Sequence, residues 1–545
     1  MPAPHDITDD SLAAARARFD GFRLQIWQST SAQRGHPFRT KVIALLPVGT
    51  RRFAVLSRTG SLVLRLLRKL GLERDALQRV DPQFFPTGFQ FTSVVAGNDP
   101  GPTVLTITAP EDPTSWEAAN GALSDLDVVV VNLSSSTLQP GGAAALRDRL
   151  LSTGASVVTG DDVIVGEGGQ VTGRFRPKYV GAVALLSYDA VGGVACFDGR
   201  ALQQIGGFST TLGALGLHDA VARLVKAGGA TAHVARVVAS SQPRTEQTHL
   251  AHAAWTVAHL SALGLRASAN VTATGAIAWR VTPDLWPSVT IVIPTRDRLD
   301  LLERCLNGVE QSSYPNFSVV ICDNDSVEPA TLRYLDNTSH TVVKTPGPFN
   351  YSAIVNAGVA ETSSDYVVTL NNDVEISDVD WLEQLVSVAL LPGVGIVGCA
   401  LREPSGAYQH EGIAIAPYPQ HLRRDLNYIR VDEFLTATRE VAAVTGACTL
   451  VKRSLWEDLR GLDPTLAVIG NDVDLCLRAA VAAMATVYLA QLQLTHAESS
   501  SRGSLNPPED IFSLVARWGL FDDYVDPWFP EALRIVADQV IWSPQ

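Results

Sequence analysis

The stretch D-Y-V-V-T-L-N-N-D-V-E, residues 365–375, joins a short apolar run to two carboxylates. Its first half has the length and composition of a buried strand. In α/β sheets, ligands collect beyond the carboxyl ends of the strands. Residues two apart in an extended chain point the same way, so Asp373 and Glu375 are predicted to share one hard divalent cation. An isolated N-N-D is also typical of a strand end that closes a turn, and the rest of the chain decides between the two.

Strand-like and helix-like segments alternate along the chain, which favours an α/β fold. Val289–Ile293 and Ser318–Cys322 read as strands, with a helix over Leu299–Val309 between them. The second strand is followed by the acidic loop Asp323-Asn324-Asp325-Ser326. A strand–helix–strand unit with an acidic exit loop is typical of nucleotide binding. A chain of 545 residues is too long for a single core and predicts two or three domains.

Charge and composition exclude several classes of function. The formal net charge is −13 with no basic run, so a nucleic-acid partner is not expected. No apolar segment reaches the roughly 18 residues of a membrane span, so membrane association is at most peripheral. No signal peptide is visible at the N-terminus, and the six cysteines are scattered. We therefore expect a cytoplasmic protein with reduced core cysteines, without a disulfide framework or a zinc site.

Seven segments from Val289 onward resemble, in order, the motifs of the family-2 inverting glycosyltransferases, which have the GT-A fold. They are T-I-V-I-P-T-R-D-R at 290–298, V-V-I-C-D-N-D-S at 319–326, F-N-Y-S-A-I-V-N-A-G at 349–358, L-N-N-D-V-E at 370–375, V-T-G-A-C at 444–448, G-N-D-V-D-L-C-L-R at 470–478 and T-H-A-E-S-S-S-R-G at 495–503. Each segment alone is a weak signal, but seven in sequence are a strong one.

The resemblance implies a metal site that holds Mn²⁺ or Mg²⁺. In the family, the third residue of the D-D-D-like motif binds the metal, which places that role on Asp373. Glu375 matches a position where some relatives supply a second carboxylate, and His496 matches a histidine that completes the ligands. This chain departs from the motif in having Asn371 and Asn372 where acidic residues are common. The two amides lose charge but keep the capacity to hydrogen-bond a nucleotide.

The resemblance also places the general base on Asp472, in G-N-D-V-D at the start of a helix. An inverting transfer needs a carboxylate there, which takes the proton of an attacking acceptor hydroxyl. Asp474 and Arg478 are expected to form a salt bridge or to cap that helix.

Other matched positions imply nucleotide contacts. Pro294, Thr295 and Arg296 line the base and ribose, Asp323 accepts the N3–H of a uracil or thymine ring, and Arg502 contacts the diphosphate. His410, in Q-H-E-G, recurs in resembling proteins, but no step is assigned to it.

The first half of the chain contains a second, altered copy of these segments. Ser115–Ser136 parallels residues 351–374, which places Ser135 where Asp373 stands; Ser241 falls near the position of His496, and Asp219 over Asp472. A copy without either metal ligand would not hold a cation, so residues 38–278 are predicted to be a degenerate GT-A-like domain. Its open roles are packing, orientation of a long acceptor and oligomerisation. Asp161-Asp162 is either a displaced metal site or, as favoured here, a turn between strands.

These observations predict an α/β chain of two tandem GT-A domains with mixed, mostly parallel sheets. The predicted divisions are an N-terminal helical extension (1–37), the degenerate domain (38–278), a catalytic domain (279–504) and a C-terminal tail that packs on it (505–545).

The first hypothesis for function is metal-dependent, inverting transfer of a hexose or deoxyhexose from a UDP- or dTDP-sugar. The acceptor would be a hydroxyl of a glycan, glycolipid or glycoprotein, and the protein could be a homo-oligomer. The alternative is a non-catalytic glycan-binding or scaffold protein. A sugar-nucleotide pyrophosphorylase would need a glycine-rich basic loop near its first strand, where this chain has Pro294-Thr295-Arg296-Asp297.

Overall fold

The computed structural model describes residues 4–18, 104–109, 113–121, 123, 127–166, 171–423, 433–497, 507–521, 524–536 and 539–542. The chain divides into two compact units, residues 9–93 and residues 1–8 with 94–545. Of the smaller unit only residues 9–18 are described, and they form helix α1. Most of the predicted extension 1–37 and the start of the predicted domain 38–278 therefore lie outside the described residues.

The larger unit begins with a seven-stranded sheet and its helices. Its strands are β1 (Val104–Ala109), β2 (Val128–Leu133), β3 (Ser136–Leu138), β4 (Val157–Val165), β5 (Val171–Arg174), β6 (Val194–Asp198) and β7 (Thr231–Ser241). Its helices are α2 (Pro113–Gly121), α3 (Gly142–Thr153), α4 (Ala182–Ser187), α5 (Gly199–Gln204), α6 (Gly216–Lys226) and α7 (Glu246–Ser261). A hairpin of β8 (Ala267–Val271) and β9 (Ile277–Val281) follows this sheet in the chain.

The second half of the chain forms a ten-stranded sheet and two small hairpins. Its strands are β10 (Val289–Thr295), β11 (Phe317–Asp323), β12 (Thr341–Lys344), β13 (Tyr366–Leu370), β14 (Val374–Glu375), β15 (Val394–Arg402), β16 (Tyr408–His410), β19 (Arg439–Glu440), β20 (Cys448–Lys452) and β21 (Ala485–His496). The hairpins are β17 (Ile413–Ile415) with β18 (Pro419–His421), and β22 (Leu533–Val536) with β23 (Gln539–Trp542). The helices are α8 (Leu299–Glu310), α9 (Pro329–Asn337), α10 (Tyr351–Ala360), α11 (Trp381–Ala389), α12 (Arg453–Asp458), α13 (Asn471–Val481) and α14 (Pro508–Trp518).

The strands that the sequence marks as apolar runs lie inside these sheets. Val289–Ile293 and Val367–Leu370 are buried along their whole length, as expected of strands covered by helices on both faces. The predicted helix over Leu299–Val309 is α8, and its apolar side packs into the core. The prediction of an α/β fold with mixed sheets is confirmed. The expectation that the sheets are mostly parallel is wrong, because β6 and β20 each pair antiparallel with both neighbours. Four of the six described strand pairings in the first sheet and five of the nine in the second are antiparallel. Within the described ranges, no helix combines the length and the apolar composition needed to cross a bilayer.

The two sheets follow one plan. The path β1-β2-β6-β4-β7-β3 in the first sheet corresponds to β10-β13-β20-β15-β21-β14 in the second. Successive pairs along both paths are parallel, antiparallel, antiparallel, parallel and antiparallel. In each sheet a short extra strand, β5 or β16, pairs antiparallel with the same member of the path. The sequence repeat therefore has a counterpart in strand order and direction.

The register identifies equivalent residues at one edge of each sheet. Ser136 lies opposite Ser241 in the first sheet, as Val374 lies opposite His496 in the second. The carbonyl of Ser135 accepts the N–H of Gln242 at 2.9 Å, and the carbonyl of Asp373 accepts the N–H of Ala497 at 3.0 Å. Ser135 and Ser241 thus stand in the places of Asp373 and His496, as the repeat predicts.

The predicted alignment of Asp219 with Asp472 is wrong by two residues. Asp219 accepts hydrogen bonds from an arginine four residues later, Arg223, and from the indole of Trp255. Asp474 accepts the same pair of bonds, from Arg478 and Trp518. The remaining guanidinium nitrogens of the two arginines donate to matching carbonyls. These are the carbonyls of Ile205 and Gly207 after α5, and of Leu459 and Gly461 after α12.

Asp219 therefore corresponds to Asp474, and Leu217 takes the place of Asp472. Leu217 is buried in the core of its domain. The first sheet thus carries an apolar side chain where the second carries its candidate base, which is a larger change than the sequence alignment indicated.

Asp161 and Asp162 lie within β4 and not in the turn that was favoured for them. Asp162 is buried, and it binds the guanidinium groups of Arg174 and Arg176 at 2.7 and 2.9 Å. Burial alone would raise the pKa of Asp162, but the two arginines hold it below its ordinary value. Asp161 bonds to His233 at 2.9 Å. The acidic pair is thus part of an internal ion-pair network.

Candidate functional site

Two adjoining cavities open at the polar ends of the central strands in the second sheet. The first cavity, about 430 Å³, is lined among others by Pro294, Thr295, Arg296, Asn324, Phe349, Asn372 and Asp373. The second cavity, about 480 Å³, is lined among others by Gln409, Tyr418, Gly446, Asp472, His496 and Leu514. Tyr351, Asn371 and Val468 belong to the walls of both. The two spaces are therefore neighbours, and most of the predicted site residues face one or the other.

Asp373 and His496 meet at this boundary. Asp373 Oδ1 lies 3.1 Å from His496 Nε2, and both side chains are about 6% exposed. The contact joins a turn after β13 to the last residue of β21, because the antiparallel pairing of β14 with β21 brings the two together. At this distance a carboxylate oxygen and an imidazole nitrogen can share a hydrogen bond or a cation. The central prediction from the sequence, that these two residues lie together, agrees with this geometry.

His496 is held from its other side by Gln409. The Nδ1 atom of the ring lies 2.7 Å from Gln409 Oε1, and Gln409 Nε2 donates to the His496 carbonyl at 3.4 Å. Gln409 is buried in β16. The ring therefore presents Nε2, and not Nδ1, towards Asp373.

Glu375 does not join this pair. Its carboxylate accepts a hydrogen bond from Arg304 Nη1 at 2.8 Å, and its side chain is 46% exposed. The prediction that Asp373 and Glu375 point the same way assumed an extended chain. Instead residues 371–373 turn, with the Val374 N–H donating to the Asn371 carbonyl, so the alternation of a strand does not apply. Among the residues that the structure describes, no group of three histidine, cysteine or acidic side chains converges as a metal site.

Asp472 lies in the wall of the second cavity, in the first turn of α13. Its Oδ2 accepts the N–H of Gly446 at 2.9 Å, and its Oδ1 accepts the N–H of Val473 at 2.8 Å. The carbonyl of Gly446 in turn accepts the hydroxyl of Tyr351 at 2.9 Å. These bonds fix the plane of the carboxylate while each oxygen keeps a free acceptor position.

Asp474, two residues further, has a structural role. Its carboxylate is fully buried and binds Arg478, Arg517 and the indole of Trp518. The salt bridge expected between Asp474 and Arg478 is therefore present. Arg517 and Trp518 belong to α14, so the segment assigned to a C-terminal tail supplies part of the support for α13.

The two asparagines of N-N-D differ in their surroundings. Asn372 is buried and donates to Thr295 Oγ1 at 3.1 Å, which ties the turn before Asp373 to the end of β10. Asn371 lines both cavities, and its amide nitrogen lies 3.5 Å from His496 Nε2. Pro294, Thr295 and Arg296 line the first cavity beside them.

Asp323 lies at the end of β11 but is not part of the first cavity's lining, which instead includes Asn324. Its carboxylate accepts Lys344 Nζ at 2.7 Å and the N–H of Ser326 at 3.1 Å. Burial alone would raise the pKa of Asp323, but the bonds from Lys344 and Ser326 hold it below the ordinary value. The carboxylate is thus ionised and already paired. Arg502, the other predicted nucleotide contact, lies outside the described residues.

Sequence reasoning missed two residues of the site. Gln409 was passed over for its neighbour His410, which is fully buried and lies against His421. Tyr351 was noted only as part of the motif at 349–358. Its hydroxyl bonds to the carbonyl of Gly446, whose N–H holds Asp472, and its side chain lines both cavities. The Q-H-E-G motif was the available signal for Gln409, but its partner lies 87 residues away.

Residues 287–520 match the family model described as "Glycosyltransferase like family 2". The match covers the whole ten-stranded sheet, both cavities and helix α14.

Three curated proteins are similar to the chain. It is 34% identical over 285 residues to the uncharacterized protein y4gI of Sinorhizobium fredii, covering 48% of this chain and 31% of that protein. It is 31% identical over 406 residues to the O-antigen biosynthesis protein RfbC of Myxococcus xanthus, covering 70% of this chain and 32% of that protein. It is 23% identical over 231 residues to an N-acetylglucosaminyl-diphospho-decaprenol L-rhamnosyltransferase of Mycobacterium tuberculosis, covering 37% of this chain and 73% of that protein. The chain spans about a third of the length of the first two.

Solved structures with similarity include a mannosyltransferase from Pyrobaculum calidifontis in complex with GDP-Man and Mn²⁺. It is 22% identical with a TM-score of 0.31, covering 41% of this chain and 62% of that one. TarS of S. aureus in complex with UDP is 12% identical with a TM-score of 0.30, covering 38% of this chain and 60% of that one. Similarity at this level does not extend the ligands of those proteins to this chain.

Proposed function

Residues 287–520 form a domain of glycosyltransferase family 2, and from this premise we propose that the chain is a metal-dependent, inverting glycosyltransferase. The donor is a nucleoside diphosphate sugar, and the acceptor is a hydroxyl group. The observation that carries the proposal is the contact between Asp373 and His496 at the boundary of two cavities, one of which contains Asp472.

Asp373 and His496 are the residues proposed to hold the divalent ion. One carboxylate and one imidazole are too few ligands for a closed protein site, but they suit Mn²⁺ or Mg²⁺ when phosphate oxygens and water complete the coordination. When bound, such an ion neutralises the charge that develops on the leaving diphosphate. Asn371, beside the pair, is placed to hydrogen-bond the same phosphates without adding negative charge.

The nucleotide is proposed to occupy the first cavity. Pro294, Thr295 and Arg296 line it at the end of β10, where α/β sheets bind nucleotides. Asn324 lines the cavity beside them. Asp323 supports the end of β11 through its bonds to Lys344 and Ser326, and it would contact a nucleotide base only if the base displaced Lys344. The arrangement suits a UDP- or dTDP-sugar whose diphosphate extends towards Asp373.

Asp472 is proposed to act as the general base. The acceptor hydroxyl oxygen forms a bond to the anomeric carbon while the bond from that carbon to the diphosphate oxygen breaks on the opposite face. The hydroxyl proton passes to a carboxylate oxygen of Asp472, and the configuration at the anomeric carbon inverts. The Gly446 and Val473 N–H groups hold the carboxylate in place during this step.

The acceptor is proposed to be a glycan, free or carried by a lipid or protein, in the second cavity. Two named relatives support this choice: one is a protein of O-antigen biosynthesis, and the other transfers L-rhamnose to a lipid-linked sugar. A hexose or deoxyhexose is therefore the proposed donor sugar.

The seven-stranded sheet is proposed to be a degenerate GT-A domain in tandem with the catalytic one. Ser135, Ser241 and Leu217 take the positions of Asp373, His496 and Asp472, so neither the cation nor the acceptor proton would have a partner there. Contacts between the sheets support a scaffolding role: the buried Glu440 of β19 accepts the N–H groups of Val183 and Ala184 in α4.

The direct experiment is transfer with purified protein, Mn²⁺ and a panel of UDP-, dTDP- and GDP-sugars. Binding of one nucleotide in a thermal-shift assay, and release of its diphosphate when a glycan acceptor is added, would support the proposal. Binding of glycan without any nucleotide or metal dependence would favour the scaffold alternative.

A further inference from the structure

The Q-H-E-G segment, residues 409–412, has no part in the proposed reaction, although its Gln409 lines the second cavity. Within it, the Gln409 side chain makes two contacts with one residue, His496: its Oε1 with ring Nδ1 at 2.7 Å and its Nε2 with the main-chain carbonyl at 3.4 Å. An amide that contacts both the ring and the main-chain carbonyl of a candidate metal ligand can fix the orientation of that ring.

The two contacts fix the direction of the amide. A main-chain carbonyl only accepts hydrogen bonds, so the NH₂ group of Gln409 must face the His496 carbonyl. The amide oxygen then faces Nδ1, and this ring nitrogen must carry the hydrogen. Since Nδ1 is committed to this bond, Nε2 is the ring nitrogen left to bind a cation, and it lies 3.1 Å from Asp373 Oδ1. The Asn371 amide nitrogen, 3.5 Å from Nε2, is consistent with an acceptor at that position.

The segment that carries Gln409 is itself held firmly. His410, the next residue, pairs with Leu401 across β15 and β16. The guanidinium of Arg439 donates to the Glu411 carbonyl at 2.8 Å and lies over the rings of Phe434 and Tyr488. Arg439 is almost completely buried, at 1% exposure. The position of the amide is therefore set by the core of the domain rather than by solvent.

We propose that Gln409 is a positioning residue that holds His496 in the tautomer with Nδ1 protonated and Nε2 free to bind a divalent cation. The inference rests on the proposed function for the identity of the cation, but not for the tautomer. Hydrogen bonds to the remote nitrogen of a ligating histidine commonly fix its orientation in this way. A glutamine does so without adding a negative charge beside Asp373.

The first test is the tautomer of His496 in the metal-free full chain. Nitrogen-15 NMR of ¹⁵N-histidine protein reports which ring nitrogen is protonated, and His496→Gln identifies the signal. The wild type is expected to show protonated Nδ1. Gln409→Leu should shift the ring towards protonated Nε2, whereas Gln409→Glu, which still accepts from Nδ1, should keep the wild-type form. An unchanged tautomer in Gln409→Leu would overturn the proposal.

The second test is Mn²⁺ affinity by titration calorimetry in the presence of UDP. Gln409→Leu should weaken Mn²⁺ about 10- to 100-fold, and Gln409→Glu should restore most of the loss. Gln420→Leu is the matched control, because Gln420 lines the same cavity and is equally buried but bonds to the Ala416 carbonyl. Equal weakening in Gln420→Leu and Gln409→Leu would overturn the specific role.

Two further results separate the possible failures. If Gln409→Leu does not fold, Gln409→Asn withdraws the amide by one methylene and is expected to give the same tautomer change. If the wild type binds no Mn²⁺, the proposed function fails, while the NMR experiment still decides the role of Gln409.

Discussion

Asp219 in α6 and Asp474 in α13 share one pair of bonds, at equivalent positions of the two halves of the chain. Each carboxylate accepts from an arginine four residues later and from a tryptophan indole of a later helix. Arg478 and Arg223 then reach carbonyls at matching positions. Such a pattern is a structural signature of the fold, so neither aspartate is a candidate for the chemistry.

Replacing these aspartates should therefore affect stability and not transfer. Asp474→Asn leaves two arginines without their buried partner and is expected to cost about 3–5 kcal/mol in the free energy of unfolding. Asp219→Asn, which loses one arginine at a more exposed position, should cost less, about 1–3 kcal/mol. Urea denaturation measures both values. Loss of transfer in a folded Asp219→Asn variant would mean that the first sheet is catalytic.

Asp472→Asn is expected to bind the nucleotide sugar as the wild type does and to lose turnover. The amide keeps the size of the side chain, and its oxygen still accepts the Gly446 N–H, but it cannot take a proton. A loss of about 10²- to 10⁴-fold in kcat is expected for removal of a general base. Rates of sugar transfer and of donor binding are measured on the same preparation. Turnover within a few-fold of the wild type would remove Asp472 from this role.

Asp373→Ala should abolish the dependence of UDP binding on Mn²⁺. The variant removes the carboxylate of the only described acid–imidazole contact at the cavity boundary. Ser135→Ala is the matched control, because Ser135 holds the equivalent position in the first sheet. Calorimetry of UDP with and without chelator should show a chelator effect in the wild type and in Ser135→Ala only. A chelator effect of equal size in Asp373→Ala would contradict the assignment.

Asp526 should make stability depend on pH. Burial raises its pKa to about 6, although its oxygens accept the N–H groups of Ile415 and Trp528. The folded state therefore binds the proton more tightly than the unfolded state, whose carboxyl titrates near its ordinary value. The resulting penalty is absent below about pH 3, grows between about pH 4 and 6, and reaches about 3 kcal/mol above pH 6.

Asp526→Asn removes this penalty. Compared with the wild type, the variant should be more stable by a larger margin at pH 8 than at pH 4.5, as measured by denaturant unfolding at both pH values. A margin that does not change with pH would show that Asp526 is not titrating in this range.

The sequence predicted what depends on local pattern. Apolar runs of strand length indicated the α/β sheets, and the repeat of motifs indicated that the first copy lacks counterparts of Asp373 and His496. The resemblance to family 2 implied that Asp373 and His496 lie together. These features survive because strand ends in a sheet converge at one edge whatever the loops between them do.

The errors arose where the outcome depends on exact geometry. Glu375 was paired with Asp373 on the assumption of an extended chain, but Asp373 lies in the turn that precedes β14. Asp219 was aligned with Asp472 and not with Asp474, two residues later. Helix α13 has an aspartate at both positions, so the sequence allows either alignment, and only the bonds of Arg223 distinguish the two. Gln409 could not be found from sequence, because its bond spans 87 residues.

The coordination of Mn²⁺ by His496 tests the account most directly. Pulsed electron paramagnetic resonance of Mn²⁺ bound to ¹⁵N-histidine protein in the presence of UDP detects directly bound ring nitrogen. The account predicts coupling to one imidazole nitrogen in the wild type and its loss in His496→Ala. A spectrum of bound Mn²⁺ without nitrogen coupling, or one that His496→Ala leaves unchanged, would contradict a cation held between Asp373 and His496.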